Sequence, residues 1–204
     1  MITTATDNTC VTIDKLISLK CHQTFSLPKT QLDFYKENNA HIEILKYVEL
    51  TGKSFGEKYM EALAREYLNL CKRESKESSG SESGSGHDHT KNSKRIEQKS
   101  ARYHACGGDW KWQHIEMKHA WDYLLLCGLD FQDIKYYIAS RTVVEKLINE
   151  GVIVGQGKKV DGVAQPQQAY WFSRSDFKKH NKLFSDYFVM VRDETELMQY
   201  LNEN

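Results

Sequence analysis

The sequence predicts an α/β protein: a mixed central β-sheet flanked by helices. Three observations point there. Residues 88–102, DHTKNSKRIEQKSAR, read as strand, two-residue turn, strand, with Asn92-Ser93 at the turn; Asn tolerates the left-handed conformation that such turns require. Residues 123–131, YLLLCGLDF, are a short apolar run of the kind that forms a strand covered on both faces. Residues 54–70 and 141–149 instead repeat their apolar side chains at helical spacing.

Composition allows one sizeable core. The chain has 204 residues, 40% of them hydrophobic, and its 28 basic residues balance 28 acidic ones. A neutral total excludes the globally basic nucleic-acid binders. Locally, Lys135 to Lys182 carries nine Lys/Arg against four Asp/Glu, a stripe that suits phosphate contacts and equally a solvated face. Five cysteines with no CxxC pair point away from a disulfide framework and from a zinc knuckle. His104-x-Cys106 is too little to hold zinc. No run of about 18 apolar residues occurs, and MITTATDNTC lacks the apolar centre of a signal peptide. The expectation is a soluble, cytoplasmic protein of a reducing compartment, without a membrane partner.

Within a single domain, 1–204, the chain divides into an N-terminal helical part (1–71), a flexible loop (72–86), a hairpin and sheet (87–140) and a helix-hairpin segment (141–191). The first ten residues read as a loose tail and VTIDKLISLK as a short strand or helix. Pro28 marks a break before a helix that Asn38 and Asn39 stop, and AHIEILKYVELTG is a second helix ended by Gly52. From Ser54 to Leu70, Phe55, Tyr59, Met60, Leu63, Tyr67 and Leu70 share one helical face, and Ser54 with Glu57 has the spacing of a capping box. Glu61 points further from that face than Glu57. Residues 72–86 contain no apolar side chain, the composition of a flexible loop.

A two-residue turn at 92–93 fixes the hairpin register. Lys91 faces Lys94, Thr90 faces Arg95, His89 faces Ile96, and Asp88 faces Glu97. Opposed carboxylates repel unless a cation lies between them. Lys99, two residues beyond Glu97, stands on the same strand face. After Gly107-Gly108, Trp112, Ile115 and Trp121 are placed on the sheet, and Glu116–Trp121 has helix-like composition. IKYYIAS is a further strand. Arg141-Thr142 opens a helix that Gly151 stops. VIVGQG and QAYWFS pair around the polar loop 157–167 and complete the sheet, and RDETELMQYLNEN closes the chain as a helix with an acidic first turn.

The order Asp, short gap, Glu-x-Lys resembles the core of the PD-(D/E)XK nuclease superfamily, and IEQKSAR is most similar to type II restriction endonucleases. His87 stands where that family often has proline, and Gln98 replaces the usual apolar middle residue. The resemblance implies a restriction-endonuclease-like core. It also implies a Mg²⁺-dependent DNA endonuclease, with Mn²⁺ able to substitute and site-specific double-strand cleavage the expected outcome. Carried over, Asp88 and Glu97 bind the metal and Lys99 positions or activates the attacking water. Glu57 becomes a further metal ligand, against its capping reading. Gln113, His114, Ser100 and Arg102 become candidates for supporting the site or touching phosphate, although Arg102 lies on the strand face opposite Glu97 and Lys99. Lys158, Lys159 and Arg174 are candidates for DNA contact, and a homodimer is one assembly this reading allows.

The tripeptide (D/E)-x-K is cheap. It occurs six times, at Glu74, Glu97, Asp109, Glu116, Asp133 and Asp176, so selectivity rests on the hairpin around one of them. Asp109…Glu116-x-Lys118 stays as a rival triad. Two other functions stay open. One is a non-enzymatic DNA-binding protein built on 140–172, which resembles half a winged helix. The other is a structural protein in which Asp88, Glu97 and Lys99 form an exposed salt-bridge cluster.

Overall fold

The computed structural model describes residues 30–50, 54–73, 86–104, 108–157 and 169–204, except the side chains of Ser54 and Glu57. The predicted tail and first element, residues 74–85 of the flexible loop, Gly52 and residues 158–168 lie outside the described residues. The described part is mixed α/β, with several helices around a mixed, nine-stranded sheet.

Helices α1 (Gln31–Glu37) and α2 (Ile42–Val48) open it. Thr30 caps α1, its hydroxyl accepting from the Asp33 amide at 3.1 Å. Asn38 and Asn39 stop that helix as expected, Asn39 at φ 55°. Helix α2 stops at Val48, earlier than Gly52.

The next helix departs from a regular pattern. Ser54–Met60 is a π-helical turn that continues as α3 (Glu61–Leu68). Its buried face runs Phe55, Met60, Ala64, Leu68, whereas Tyr59 and Tyr67 are exposed. A π turn advances its hydrogen bond by five residues, so the step from Phe55 to Met60 shifts the stripe away from the predicted tyrosines. The same shift brings Glu61 to the side facing the sheet.

The sheet is built from β1 (Cys71–Lys72), β2 (His89–Lys91), β3 (Lys94–His104), β4 (Asp109–Ile115), β5 (Tyr123–Leu129), β6 (Ile134–Ser140), β7 (Val154–Gly155), β8 (Tyr170–Ser173) and β9 (Val189–Val191). The main path runs β7-β8-β4-β3-β5-β6-β9, with β2 and β1 attached to β3 beside it. The hairpin register is the predicted one: His89↔Ile96, Thr90↔Arg95 and Lys91↔Lys94. Asn92 and Ser93 both have positive φ, 47° and 62°, as a primed two-residue turn demands.

Strand β3 organises the site. One edge pairs in parallel with β5 over Ile96–Arg102. The other edge pairs with β2 as far as Ile96 and with β4 only at Tyr103 and His104. Between those contacts the edge has no strand partner among the described residues. The parallel link from β3 to β5 passes through β4 and a turn, and no helix forms at Glu116–Trp121. That corrects the helix-like reading of this stretch.

Strand β5 is buried along its whole length, because the sheet is covered on both faces. Leu125, Cys127 and Leu129 meet a core that includes Tyr35, Met60, Leu68 and Leu201. Leu124 and Leu126 meet a second core rich in aromatics, including Trp110, Trp112, Phe172 and Phe184. Gly128 has a steric reason: a Cβ there would stand 2.8 Å from the Trp110 ring. Helices α4 (Arg141–Asn149) and α5 (Asp176–Lys179) and a 3₁₀ turn at Phe184–Asp186 border the second core. Helix α6 (Glu194–Glu203), capped by Asp193, closes the first. Gly151 follows α4 at φ 74°, and β7 pairs with β8 as expected. Since β8 also pairs with β4, the described strands of 140–172 join the main sheet. No helix among the described residues is long and apolar enough to cross a membrane.

Candidate active site

The hairpin is clamped before it presents anything. Arg95 donates to Asp122 through its backbone N–H at 2.8 Å, Nε at 3.1 Å and Nη2 at 2.7 Å. Asp122 returns its own amide to the Arg95 carbonyl at 2.8 Å. This locks the start of β3 to the start of β5, while Lys91 is held by Glu194 at 2.6 Å.

Asp88 stands just before β2. Its amide donates to the Ile96 carbonyl at 3.0 Å, and its Oδ2 accepts from the Gln98 amide at 2.7 Å. The carboxylate thus occupies the unpaired edge of β3 where a next strand residue would otherwise bond. Lys99 Nζ donates to Glu97 Oε1 at 2.5 Å. The expected pairing of Asp88 with Glu97 does not form: strand pairing ends at His89↔Ile96, and Asp88 instead bonds the Ile96 carbonyl and the Gln98 amide, near enough for its charge to act on Glu97 beside Lys99.

The three are not equally accessible. Asp88 and Lys99 line a cleft of about 390 Å³ whose other walls include Phe55, Glu61, Lys111, Gln113 and His114. Glu97 is buried, 4% exposed, and meets the cleft through Lys99. This overturns the picture of an exposed salt-bridge cluster. Burial pushes the Glu97 carboxyl up to about 7; Lys99 opposes the rise, while the charges of Asp88 and Glu116 add to it. Like charges converge on a partly desolvated acid, with one ammonium to offset them.

Gln98, the middle residue of the tripeptide, has a local explanation. It is buried on the opposite face, where its Oε1 accepts from His89 Nε2 at 2.8 Å and its Nε2 donates to Ser100 Oγ at 3.1 Å. Burial lowers the His89 pKa, keeping that imidazole neutral. A polar residue sits between Glu97 and Lys99 because a buried histidine on β2 needs a partner.

Comparison with protein-family models, curated proteins and solved structures finds no match.

The remaining predicted residues divide. Ser100, Gln113 and His114 line the cleft, but the latter two lie on β4 and not on a helix. A bulge between Trp112 and Ile115, with His114 at φ 58°, turns His114 toward the cleft beside Gln113. Arg102 is used structurally. Its guanidinium lies 3.7 Å from the Phe55 ring centroid and donates to the carbonyls of Tyr47 and Leu50, holding the N-terminal helices to the sheet. Arg174 sits 3.7 Å from Asp109 and over Trp110. The side chain of Glu57, and Lys158 and Lys159 altogether, lie outside the described residues.

Three residues to which the resemblance gives no role also border the site. Glu61 lines the cleft, correcting its outward placement, and is paired with Arg65 at 3.4 Å. Glu116, assigned to the rival triad, adds its charge to Glu97. Lys111 lines the cleft wall; the alternation Trp110, Lys111, Trp112, Gln113 is the strand signal that places Lys111 and Gln113 on one face.

Proposed function

We propose that this chain is a Mg²⁺-dependent phosphodiesterase acting on DNA, a restriction-like endonuclease. One observation supports the reading: Asp88 and Lys99 line one cleft at the unpaired edge of β3, with the buried Glu97 bonded to Lys99 behind it.

The donor set suits Mg²⁺. That ion prefers one or two carboxylates and keeps several waters. Among the described residues no group of three or more His, Cys, Asp or Glu side chains is placed to hold a metal ion. Asp88 and Glu97 would hold the ion, with Glu57 as a further ligand. When bound, it polarises the phosphoryl oxygen and lowers the pKa of water.

The chain's own residues do the rest. Asp88 is oriented by the Gln98 amide, so its free oxygen has a fixed direction. Lys99 balances Glu97 before reaction and faces the charge that develops on the phosphate during it. Hydrolysis forms one P–O bond to water and breaks one to the sugar, whose oxygen takes up a proton. A restriction-like core remains part of this proposal, resting on the hairpin and the tripeptide within it.

The test is direct. Purified protein is incubated with several unrelated supercoiled DNAs, with Mg²⁺, with Mn²⁺ and with chelator. Nicked or linear products in either metal, and none in chelator, are expected. Folded protein that cuts none of them under any condition overturns the reading.

A further inference from the structure

The cleft at Asp88 and Lys99 does not end there. A larger cavity, about 800 Å³, adjoins it along β3, with Ala101, His104, Asp109 and Ser175 in its lining. Phe55, Ser100, Lys111 and Gln113 belong to both walls, so the two form one trough. At about 3.3 Å per strand residue, Lys99 to His104 spans roughly 17 Å. A single phosphodiester needs far less.

The cations on this trough are in different states. Lys99 is paired with Glu97, and Arg102 is bound to two backbone carbonyls. Lys111 has no carboxylate partner among the described residues. Its Nζ lies 3.9 Å from the centroid of the Trp171 ring. The pairing Lys111↔Ser173 makes Trp171 a diagonal neighbour on the same sheet face. An aromatic face attracts an ammonium without neutralising it. Lys111 is therefore pre-placed with no carboxylate against it among the described residues, on the wall that both halves of the trough share.

We propose that Lys111 binds a phosphate of the DNA strand being cut, next to the one hydrolysed, and that the larger cavity takes the nucleotide on that side. This rests on the nuclease reading and extends it to how the strand is held. A phosphate contact fixes register and carries no sequence information, so its signature is electrostatic.

The experiment measures binding of a labelled DNA duplex in chelator, across a range of salt, for wild type, Lys111→Ala, Lys111→Gln, Lys111→Arg and Lys178→Ala. Lys178 is an exposed lysine that lines neither part of the trough and controls for net charge. Losing one phosphate contact makes the slope of log K against log salt shallower by about 0.9. That change is expected in Lys111→Ala and Lys111→Gln, with recovery in Lys111→Arg and none in Lys178→Ala. In cleavage, KM should rise more than kcat falls. An unchanged slope in Lys111→Gln at wild-type melting temperature overturns the proposal, as does an equal change in Lys178→Ala. Wild type that cuts no DNA, while Lys111 variants still lose slope, leaves the trough standing and removes the nuclease. Wild type that cuts while the Lys111 slope is unchanged removes Lys111 alone.

Discussion

Two triads of identical pattern, Asp88…Glu97-x-Lys99 and Asp109…Glu116-x-Lys118, meet opposite fates in one sheet. In the first, a tight turn folds the acid back on the tripeptide, and a strand keeps Glu97 and Lys99 on one face. The second is broken up by its surroundings. Asp109 is buried and accepts from the amides of Trp110 at 2.8 Å and Ser175 at 2.5 Å. Glu116 lies after the end of β4 and adds its charge to the first site. Lys118 is exposed, 3.8 Å from Glu116. The tripeptide is worth only as much as the backbone that presents it.

The largest effect expected from this contrast is at Lys99. Lys99→Ala removes the ammonium that offsets Glu97 and that, on the proposed function, faces the phosphate. Deleting one group that stabilises developing charge costs on the order of 10²–10³ in rate. Cleavage should fall at least that far, with the fold and DNA affinity kept, in single-turnover assays beside circular dichroism. Wild-type cleavage by Lys99→Ala would remove the first triad from the chemistry.

Next in size is the pH dependence of Glu97. Its folded carboxyl titrates at about 7, above the ordinary value of 4.5. The folded state therefore binds the proton more tightly than the unfolded one. Stability on this account is complete below pH 4.5 and is lost as pH rises through 7, by about 3 kcal/mol in all. Glu97→Gln cannot titrate. In chelator, the stability difference between wild type and Glu97→Gln should drift by that amount from pH 4 to pH 8, against the wild type. Chemical denaturation at stepped pH reads it, and parallel profiles would refute the burial argument. Metal should bind more tightly over the same interval, since it competes with that proton.

The sequence carried much of this hairpin because its information is local. A two-residue turn leaves one register, so the pairs from His89↔Ile96 to Lys91↔Lys94 are legible from spacing alone. Elements whose form depends on distant neighbours were not. The π turn that moves the stripe from Tyr59 to Met60 gives a helix a step no periodicity of 3.6 contains, and it brings Glu61 into the cleft. The Trp110, Lys111, Trp112 alternation was readable, but helix-like composition just after it obscured the strand. The burial of Glu97, and the assignment of Arg102 to backbone carbonyls of the N-terminal helices, arise only when separate parts of the chain meet. So does Gln98 as the partner of His89.

Asp109 has a structural task. Asp109→Ala leaves two amides without their acceptor, a loss of about 2 kcal/mol, which for a chain of this size lowers Tm by roughly 4–8 °C. Calorimetry should show that loss, with cleavage per folded molecule unchanged at lower temperature. A dead but equally stable protein would give Asp109 a chemical role after all.

The smallest effects belong to Glu116 and Lys118, and they should differ in kind. Glu116 raises the Glu97 carboxyl by its charge alone, so Glu116→Gln should shift the titration of Glu97 toward acid. The acidic limb of the cleavage profile should move the same way, with the maximal rate little altered. Lys118 is exposed and only loosely paired with Glu116. Exposed pairs contribute about 0–1 kcal/mol, and an ordinary surface substitution stays within about 0.5 kcal/mol. Lys118→Ala should therefore match wild type in melting temperature and in rate. It should nudge the pH profile in the direction opposite to Glu116→Gln, because it removes a positive charge near the same acids. Folded but inactive Lys118→Ala, beside active Lys99→Ala, would move the active centre to the second triad.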